Sequence, residues 1–230
     1  PVHSKQPGLL VRLSAELGII ILGVLIALWA DGWVAERADR EAERSRIEAL
    51  RDNLTATRTR LNDAVQEAQR AQAALKSIAY WQAPGMIAEH EDMVVAGLFF
   101  GPAFTPEINV YSDLKNSGDL GLLSNADLRQ ALAHMDAVFE QLMLLQSDLT
   151  MVQQLNYDPF IVRELALGTT LGQHLGLQDL PTDAVNPDVD MQQLRNLALF
   201  KLDLVNLLES KYRESGKALD TVERAMGGNP

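Results

Sequence analysis

The chain has 230 residues, 47% of them hydrophobic and 22% charged, and it contains no cysteine. This size predicts one or two domains, and the lack of cysteine excludes disulfides, thiolate metal sites and cysteine nucleophiles. The net charge of −11 argues against nucleic-acid binding, which needs a basic face that displaces counterions.

The first predicted element is a transmembrane helix near the N-terminus. The uncharged run from Leu17 to Ala30 covers only about 21 Å, against a hydrocarbon core of ~30 Å, so a buried core helix is the alternative. The run is aliphatic on every face, and its apolar flanks extend it to a spanning length over 13–35. Trp29 and Trp33 are placed to form one side of an interfacial aromatic belt. Because no small-residue cleavage site follows, we predict an uncleaved signal anchor after an N-terminal tail over 1–12.

Two acids, Glu16 and Asp31, lie at the ends of the apolar run. One interpretation is that both snorkel or pair at the interface, Glu16 with Arg12 one turn before it. The other is that Glu16 makes a buried polar contact with another membrane subunit, since intramembrane acids are costly and often functional. Gly23 and Ala27 share one helical face with Ala30 and would permit close packing against a neighbouring helix.

The flanking charges give conflicting indications of orientation. Lys5 and Arg12 precede the span, and four arginines follow it within 37–46, which by the positive-inside rule places the body in the cytoplasm. Acids alternate with these arginines, however, and long domains translocate regardless of charge.

A long helix is predicted to continue from the membrane into the body, since no glycine or proline occurs between Trp33 and Ala83. Residues 36–46 are nearly all charged and predict a solvated stalk. From Ile47 onward the apolar residues form heptads, which indicate packing against partner helices over 47–230. One series is Ile47, Leu54, Leu61, Ala68 and Leu75, and the other is Leu50, Thr57, Ala64, Ala71 and Ile78.

Pro84-Gly85 ends this helix, and a short apolar segment follows at Met93–Phe104. The segment is too short to span a membrane, so we expect a buried helix and turn, with interfacial membrane contact as the alternative. Thr105 is the predicted cap of the next helix, with Pro106 at its first position, and Gly118 ends it.

Two more long helices complete the predicted fold. The first begins at Ser124, with Asp127 in the capping-box position, and ends before Pro159. A short helix from Phe160 and an irregular region over 168–187 precede the last helix, which Asp190 caps. Its predicted buried stripe is Leu194, Leu197, Phe200, Leu204, Leu207, Leu219 and Val222. With no strand alternation, the fold class is all-α: a single N-terminal transmembrane helix followed by a long-helix antiparallel bundle.

The motifs of common enzymes are missing from the sequence. None of its four histidines follows a glutamate by three residues, as di-iron bundles require, and no nucleophile elbow or phosphate loop occurs. The acidic clusters at Glu89–Asp92 and Asn186–Asp190 are interpreted as a solvated helix face and a cap. The glycines of Gly168–Gly176 are interpreted as a turn-rich connector. We therefore predict no enzyme, no metal site and no cofactor.

Two segments resemble a family of uncharacterised bacterial single-span proteins. The first is the span, with an acid before the aliphatic run and an Asp-x-Trp at its end, here Glu16, Asp31 and Trp33. The second is a Tyr-x-x-Leu-Lys-x-Ser-Gly-x-Leu segment. It is matched here by Tyr111, Leu114, Lys115, Ser117, Gly118 and Leu120, followed by Asn125 and Leu128. The resemblance covers about two thirds of the chain.

That family is a domain of unknown function, so the resemblance implies a topology and no activity. The implied topology is a bacterial inner-membrane protein with its N-terminus in the cytoplasm and its helical body in the periplasm. The second segment is interpreted as a structural joint, in which Gly118 adopts a positive φ, or alternatively as a ligand or partner epitope.

Three functions follow as hypotheses. The first is a non-catalytic accessory or scaffolding subunit of a photosynthetic, respiratory or transport complex, with integral membrane subunits and the lipid bilayer as partners. The second is a membrane-tethered periplasmic sensor or adaptor that binds a small molecule or a protein. The third is an enzyme, for which the sequence offers no site.

Overall fold

The structure, a computed structural model, describes residues 9–99, 101–165, 176–177, 186 and 188–227, with the side chains of 9–15 and 19 left out. Every element within these ranges is helical, which confirms the predicted all-α class for the described part. The start of the predicted tail, residues 168–175 of the connector and most of the irregular region lie outside the described residues.

Helix α1 runs without interruption over Leu9–Ala79, a length of 71 residues. All the described side chains from Glu16 to Ala42 are exposed. Among the described helices, α1 is the one that is long and apolar enough to cross a membrane. The predicted continuity of the apolar segment with the charged segment after it is confirmed, because no proline or positive-φ glycine interrupts the helix.

The heptads predicted for α1 are confirmed in the body of the protein. Ile47 is partly buried, and the other nine predicted positions are buried: Leu50, Leu54, Thr57, Leu61, Ala64, Ala68, Ala71, Leu75 and Ile78. A 3.5-residue repeat keeps one stripe of a helix turned toward its partners over its whole length. This stripe forms one wall of the hydrophobic core.

Short helical elements α2, Gly85–Glu89, and α3, Glu91–Val94, follow, and a turn of π-helix continues α3 over Val95–Phe99. Gly97 lies so close to α1 that an added Cβ would be 3.2 Å from Cδ1 of Ile78. Val94, Leu98 and Phe104 are buried, so the prediction of a buried helix and turn is confirmed.

Helix α4, Asn109–Ser117, begins later than predicted. Thr105 and Pro106 are not its cap and first residue, because α1 holds the preceding backbone in a non-helical conformation. The Thr57 hydroxyl accepts from the Glu107 amide and donates to its carbonyl, both at 2.9 Å. The Asn53 side chain accepts from the Val110 amide at 3.0 Å, a role that a local cap ordinarily fills.

Helix α5, Ala126–Val152, is capped by Asn125 rather than by the predicted Ser124. The Asn125 side-chain oxygen accepts from the Asp127 and Leu128 amides. A π-helical turn, Gln153–Tyr157, then joins α5 to α6, Asp158–Glu164. Helix α5 therefore ends before Pro159 as predicted, but α6 begins at Asp158 rather than at the predicted Phe160, with Pro159 in its first turn.

Helix α7, Met191–Gly227, is capped by Asp190 as predicted, whose Oδ1 accepts from the Gln192 and Gln193 amides at 2.9 Å. The predicted stripe is wrong in its middle, because Phe200 and Leu207 are 51% and 46% exposed. Nine of the buried residues instead follow a heptad, with Ala218 buried beside them: Leu194, Ala198, Lys201, Val205, Leu208, Tyr212, Ser215, Leu219 and Val222. Three of them are polar, so the apolar residues beside them suggested the wrong face.

The three long helices share one core. Arg58 of α1 forms ion pairs with Asp220 and Glu223, whereas Arg195 of α7 donates to the Trp81 carbonyl. An earlier residue of α1 thus contacts the C-terminal part of α7, and a residue just after α1 contacts the N-terminal part of α7. The two helices therefore run in opposite directions.

Candidate functional site

The residues predicted to lie at the membrane are on the N-terminal part of α1, and those whose side chains the structure describes are exposed. Trp29 and Trp33 are 73% and 53% exposed. The Arg37 guanidinium lies over the Trp33 ring, 5.7 Å from its centroid. No atom lies within 4 Å of where a Cβ on Gly23 would be. The predicted pairing of Glu16 with Arg12 lies outside the described side chains.

Helix geometry separates these residues into two faces. At 100° per residue, Gly23 and Ala27 point in nearly the same direction, with Glu16 between them. Trp29 and Trp33 lie roughly 100–140° around the axis from that direction. A single partner helix on the small-residue face would therefore leave both tryptophans facing lipid.

The charged part of α1 makes its first contacts with the body at Glu43. Its carboxylate accepts from the Ser124 amide and hydroxyl, both at 2.6 Å. Arg46 lies 3.5 Å from Asp119. The loop between α4 and α5 thus lies against the end of the charged segment of α1.

The Tyr-x-x-Leu-Lys-x-Ser-Gly segment forms α4 and the turn after it. Tyr111 and Leu114 are buried, and Lys115 donates to Asp136 of α5 at 2.6 Å. Burial, with the nearby Asp136 carboxylate, raises the pKa of Tyr111. Ser117 lies in the last turn, its hydroxyl 3.4 Å from the Asp119 amide. Gly118 has φ 81°, the positive value predicted for it.

A cavity of about 260 Å³ lies between α5, α7 and the segment over 101–105. Its apolar lining comes mainly from Phe104, Met143, Leu149, Leu204, Val205 and Leu208. Its polar lining comes from Thr105, Gln146, Thr150, Gln153, Tyr157 and Lys201.

Lys201 is the charged residue of this lining, and it is only 6% exposed. Its ammonium donates to the Leu98 carbonyl at 2.6 Å and to Oε1 of Gln153 at 2.7 Å. Burial lowers the pKa of Lys201 to about 7, and the Asp158 carboxylate opposes that shift. Two charge states of this side chain are therefore accessible near neutral pH.

Tyr157 lies beside Lys201, whose Nζ is 5.2 Å from the centroid of the tyrosine ring. The side chain is 1% exposed, and its hydroxyl has no hydrogen-bond partner within the described chain. Burial raises the pKa of Tyr157, so the hydroxyl keeps its proton and remains a donor. A buried donor without an acceptor costs ~1–3 kcal/mol.

The rim of the cavity is held by a second polar group. Gln146 accepts from the Phe104 amide at 2.8 Å and donates to the Phe104 carbonyl at 2.9 Å. The Tyr212 hydroxyl lies 3.0 Å from both Oε1 of Gln146 and the Pro102 carbonyl. These bonds fix the backbone over 101–105, which has no helical hydrogen bonds of its own.

Sequence reasoning missed this cavity and its residues. The signal was a lysine between Ala198 and Val205 in the heptad of α7, with Gln146 of α5 and, seven residues later, Gln153 of the following turn in the matching register. Polar residues at core heptad positions point to a buried network.

No protein-family model, no curated protein and no solved structure matches this chain. Within the described residues, no group of three histidine, aspartate or glutamate side chains is arranged to hold a metal ion.

Proposed function

We propose that this protein is a membrane-anchored, non-catalytic accessory or scaffolding subunit of a larger integral membrane complex, photosynthetic, respiratory or transport. In this proposal, residues 13–35 span the bacterial inner membrane from a cytoplasmic N-terminus. The rest of the chain forms an antiparallel helical bundle in the periplasm.

The observation that carries this proposal is the exposure of the apolar N-terminal part of α1, residues 13–35, which we call the apolar arm. Its described large apolar side chains are more than half exposed: Leu17, Ile20, Ile21, Leu22, Val24, Leu25, Ile26, Leu28, Trp29, Trp33 and Val34. Burying one such side chain is worth ~1.5–3 kcal/mol. A bilayer or a partner must supply that burial, since the described body does not reach this part of the helix.

The two faces of the arm support a division of roles. Gly23 and Ala27 allow another helix backbone to approach closely, and packing drives association where lipid supplies no hydrophobic force. Trp29 and Trp33, on the other side, suit the lipid interface. The tryptophans then fix the depth of the helix and the small residues bind the partner.

Copurification from gently solubilised membranes tests this proposal. Gly23→Leu with Ala27→Leu keeps the arm apolar but blocks close approach, so the partner should be lost. Gly18→Leu with Gly32→Leu is the matched control, because both glycines lie on the opposite side and have open space around them. Wild-type recovery of the partner with the first pair would contradict binding through this face.

A membrane-tethered periplasmic module that binds a small molecule is the second candidate. The cavity beside Lys201 favours it, because a concave, mostly apolar site with a few polar groups is the usual form of a ligand pocket. Direct ligand binding by the full chain tests this candidate, and partner copurification does not depend on it.

A further inference from the structure

We propose that the outward face of α5 binds an amphipathic helix of another protein, one that carries lysine or arginine residues beside an apolar stripe. This surface, the α5 face, consists of the exposed residues Glu140, Leu144, Asp148 and Met151 and the groove beside Phe139. The inference rests on the proposed accessory role and adds to it a second contact, which is separate from the apolar arm.

Large apolar side chains lie exposed along one line of α5. Leu144 and Met151 are 68% and 60% exposed, and Leu155, in the π-helical turn that follows, is 69% exposed. At 100° per residue, Leu144 and Met151 lie with Glu140 and Asp148 in a sector of about 80° around the helix axis. Exposed apolar residues grouped in this way mark interaction sites, whereas scattered single ones do not.

A groove along this line extends the apolar surface. Its volume is about 440 Å³, and its apolar lining comes from Pro106, Ile108, Phe139, Met143 and Leu144. Amphipathic helices bind in hydrophobic grooves through apolar residues three, four and seven positions apart. From Asp136 to Met151 the α5 helix is about 23 Å long, which matches about four turns of a partner helix.

The charge of the α5 face selects a basic partner. The sequence between Arg129 and Arg163 contains no lysine or arginine, but it places Asp136, Glu140 and Asp148 on or beside this face. Opposite charges across an interface guide partners together, and like charges reject the wrong partner. A helix with acidic flanks is therefore excluded, and one with basic flanks is favoured.

Lys115 of α4 neutralises part of this charge. Its Nζ donates to Asp136 at 2.6 Å but lies 3.9 Å from the Glu140 carboxylate. The Asp136 side chain is 13% exposed, whereas that of Glu140 is 69% exposed. Glu140 is thus accessible to a lysine or arginine of the partner, whose methylene groups would lie against the apolar lining of the groove.

A second copy of this chain fits the α5 face poorly. Asn125 donates to the Ala225 carbonyl and Gln153 accepts from Lys201, so α5 runs opposite to α7 and in the same direction as α1. Two copies anchored in one membrane would therefore present their α5 helices in parallel, with Glu140 facing Glu140. Like charges at the same height oppose such a dimer.

Fluorescence anisotropy with two synthetic helical peptides tests the proposal on the full chain in nanodiscs of zwitterionic lipid. The peptides share a stripe of leucine and alanine and carry either lysine or glutamate at the flanking positions, and the signal from empty nanodiscs is subtracted. The lysine peptide should bind saturably at one site per chain, and the glutamate peptide at least 10-fold more weakly. No saturable binding of the lysine peptide, or equal binding of both peptides, would overturn the proposal.

Apolar variants locate the site. Leu144→Ser with Met151→Ser should weaken binding of the lysine peptide at least 10-fold and keep the fold, because both side chains are exposed. Phe200→Ser with Leu207→Ser is the matched control, since these residues are also exposed and seven positions apart, but on α7. Wild-type affinity in the first pair, or an equal loss in the control pair, would contradict binding at the α5 face.

A charge variant tests the choice of a basic partner. Glu140→Gln should weaken binding of the lysine peptide several-fold, and the difference from wild type should shrink at high salt. Asp203→Asn removes an exposed acid from α7 instead and should leave the affinity unchanged. Equal losses in the two variants would mean that the peptide responds to net charge and not to this face.

A single cysteine distinguishes another protein from a second copy. The chain has no native cysteine, so Leu144→Cys is a unique reporter in oxidised native membranes. It should form no more disulfide-linked dimer than Tyr80→Cys, at an 84% exposed position just after α1. Dimer formed by Leu144→Cys alone would make a second copy the occupant and overturn the proposal. None of these tests involves Gly23 or Ala27, so they fail independently of the copurification that tests the apolar arm.

Discussion

Gln153 connects Lys201 to Asp158 through the two ends of its side-chain amide. Its Oε1 accepts from Nζ of Lys201 at 2.7 Å, and its Nε2 donates to Oδ1 of Asp158 at 2.7 Å. Nε2 also lies 3.0 Å from the Leu98 carbonyl. The amide thus holds a buried cation and a carboxylate in one hydrogen-bonded network that joins α6, α7 and the π-helical turn after α3.

Gln153→Leu should destabilise the body by several kcal/mol. The substitution leaves polar groups on both sides without this partner, and each such buried group costs ~1–3 kcal/mol. Thermal unfolding followed by circular dichroism measures the effect. Gln141→Leu, at an exposed position of the preceding α5 helix, should change the free energy of unfolding little. Equal effects of the two substitutions would mean that the network does not stabilise the fold.

Stability should rise with pH above neutrality because of Lys201. Burial lowers its pKa from 10.5 to about 7, so between these values the unfolded chain binds more protons than the folded chain. The free energy of unfolding then increases with pH by at most ~1.4 kcal/mol per unit and levels off below the folded pKa. The difference in Tm between wild type and Lys201→Met should therefore grow in favour of wild type from pH 7 to pH 9.5. A constant difference would contradict a lowered pKa.

Substitutions in the heptads of α1 should be far more damaging than substitutions on its charged segment. Leu54→Asp or Leu61→Asp places a charge among side chains at positions that are 2% and 3% exposed, and should cost several kcal/mol. Arg40 pairs with Glu36 in solvent, so Arg40→Ala should cost under about 1 kcal/mol. Arg44→Ala should behave alike. Thermal unfolding of the four variants measures the difference, and an Arg40→Ala or Arg44→Ala variant as unstable as Leu54→Asp would identify the charged segment as an interface.

Gly118→Ala should destabilise the joint between α4 and α5 by about 1–2 kcal/mol, because φ is 81° there and a Cβ is strained in that conformation. Gly121→Ala is the control in the same turn, where the glycine has no positive φ and no close neighbour. Chemical or thermal unfolding of the two variants measures the difference. Equal stabilities would show that the left-handed turn carries no cost for alanine.

The sequence predicted α1 best, since its apolar residues stand at uninterrupted heptad spacing and Thr57 is the one polar residue among the predicted positions. It failed for α7, where Lys201, Tyr212 and Ser215 occupy the buried face while Phe200 and Leu207 are exposed. Periodicity identifies the buried face of a helix from its hydrophobic residues. Where polar residues are buried, the pattern therefore predicts a neighbouring face instead. The predicted cap of α4 failed because Thr57 and Asn53, distant in sequence, decide where α4 begins.

Cysteine labelling in cells with a permeabilised outer membrane tests the central claim most directly. The chain has no native cysteine, so Ser45→Cys, on the exposed charged segment, and Leu25→Cys, in the middle of the apolar arm, each provide a single reporter. A membrane-impermeant maleimide should label Ser45→Cys in intact cells, and should label Leu25→Cys only after detergent is added. Labelling of Ser45→Cys only after lysis of the inner membrane would reverse the orientation. Labelling of Leu25→Cys as rapid as that of Ser45→Cys would show that the apolar arm does not lie in a membrane.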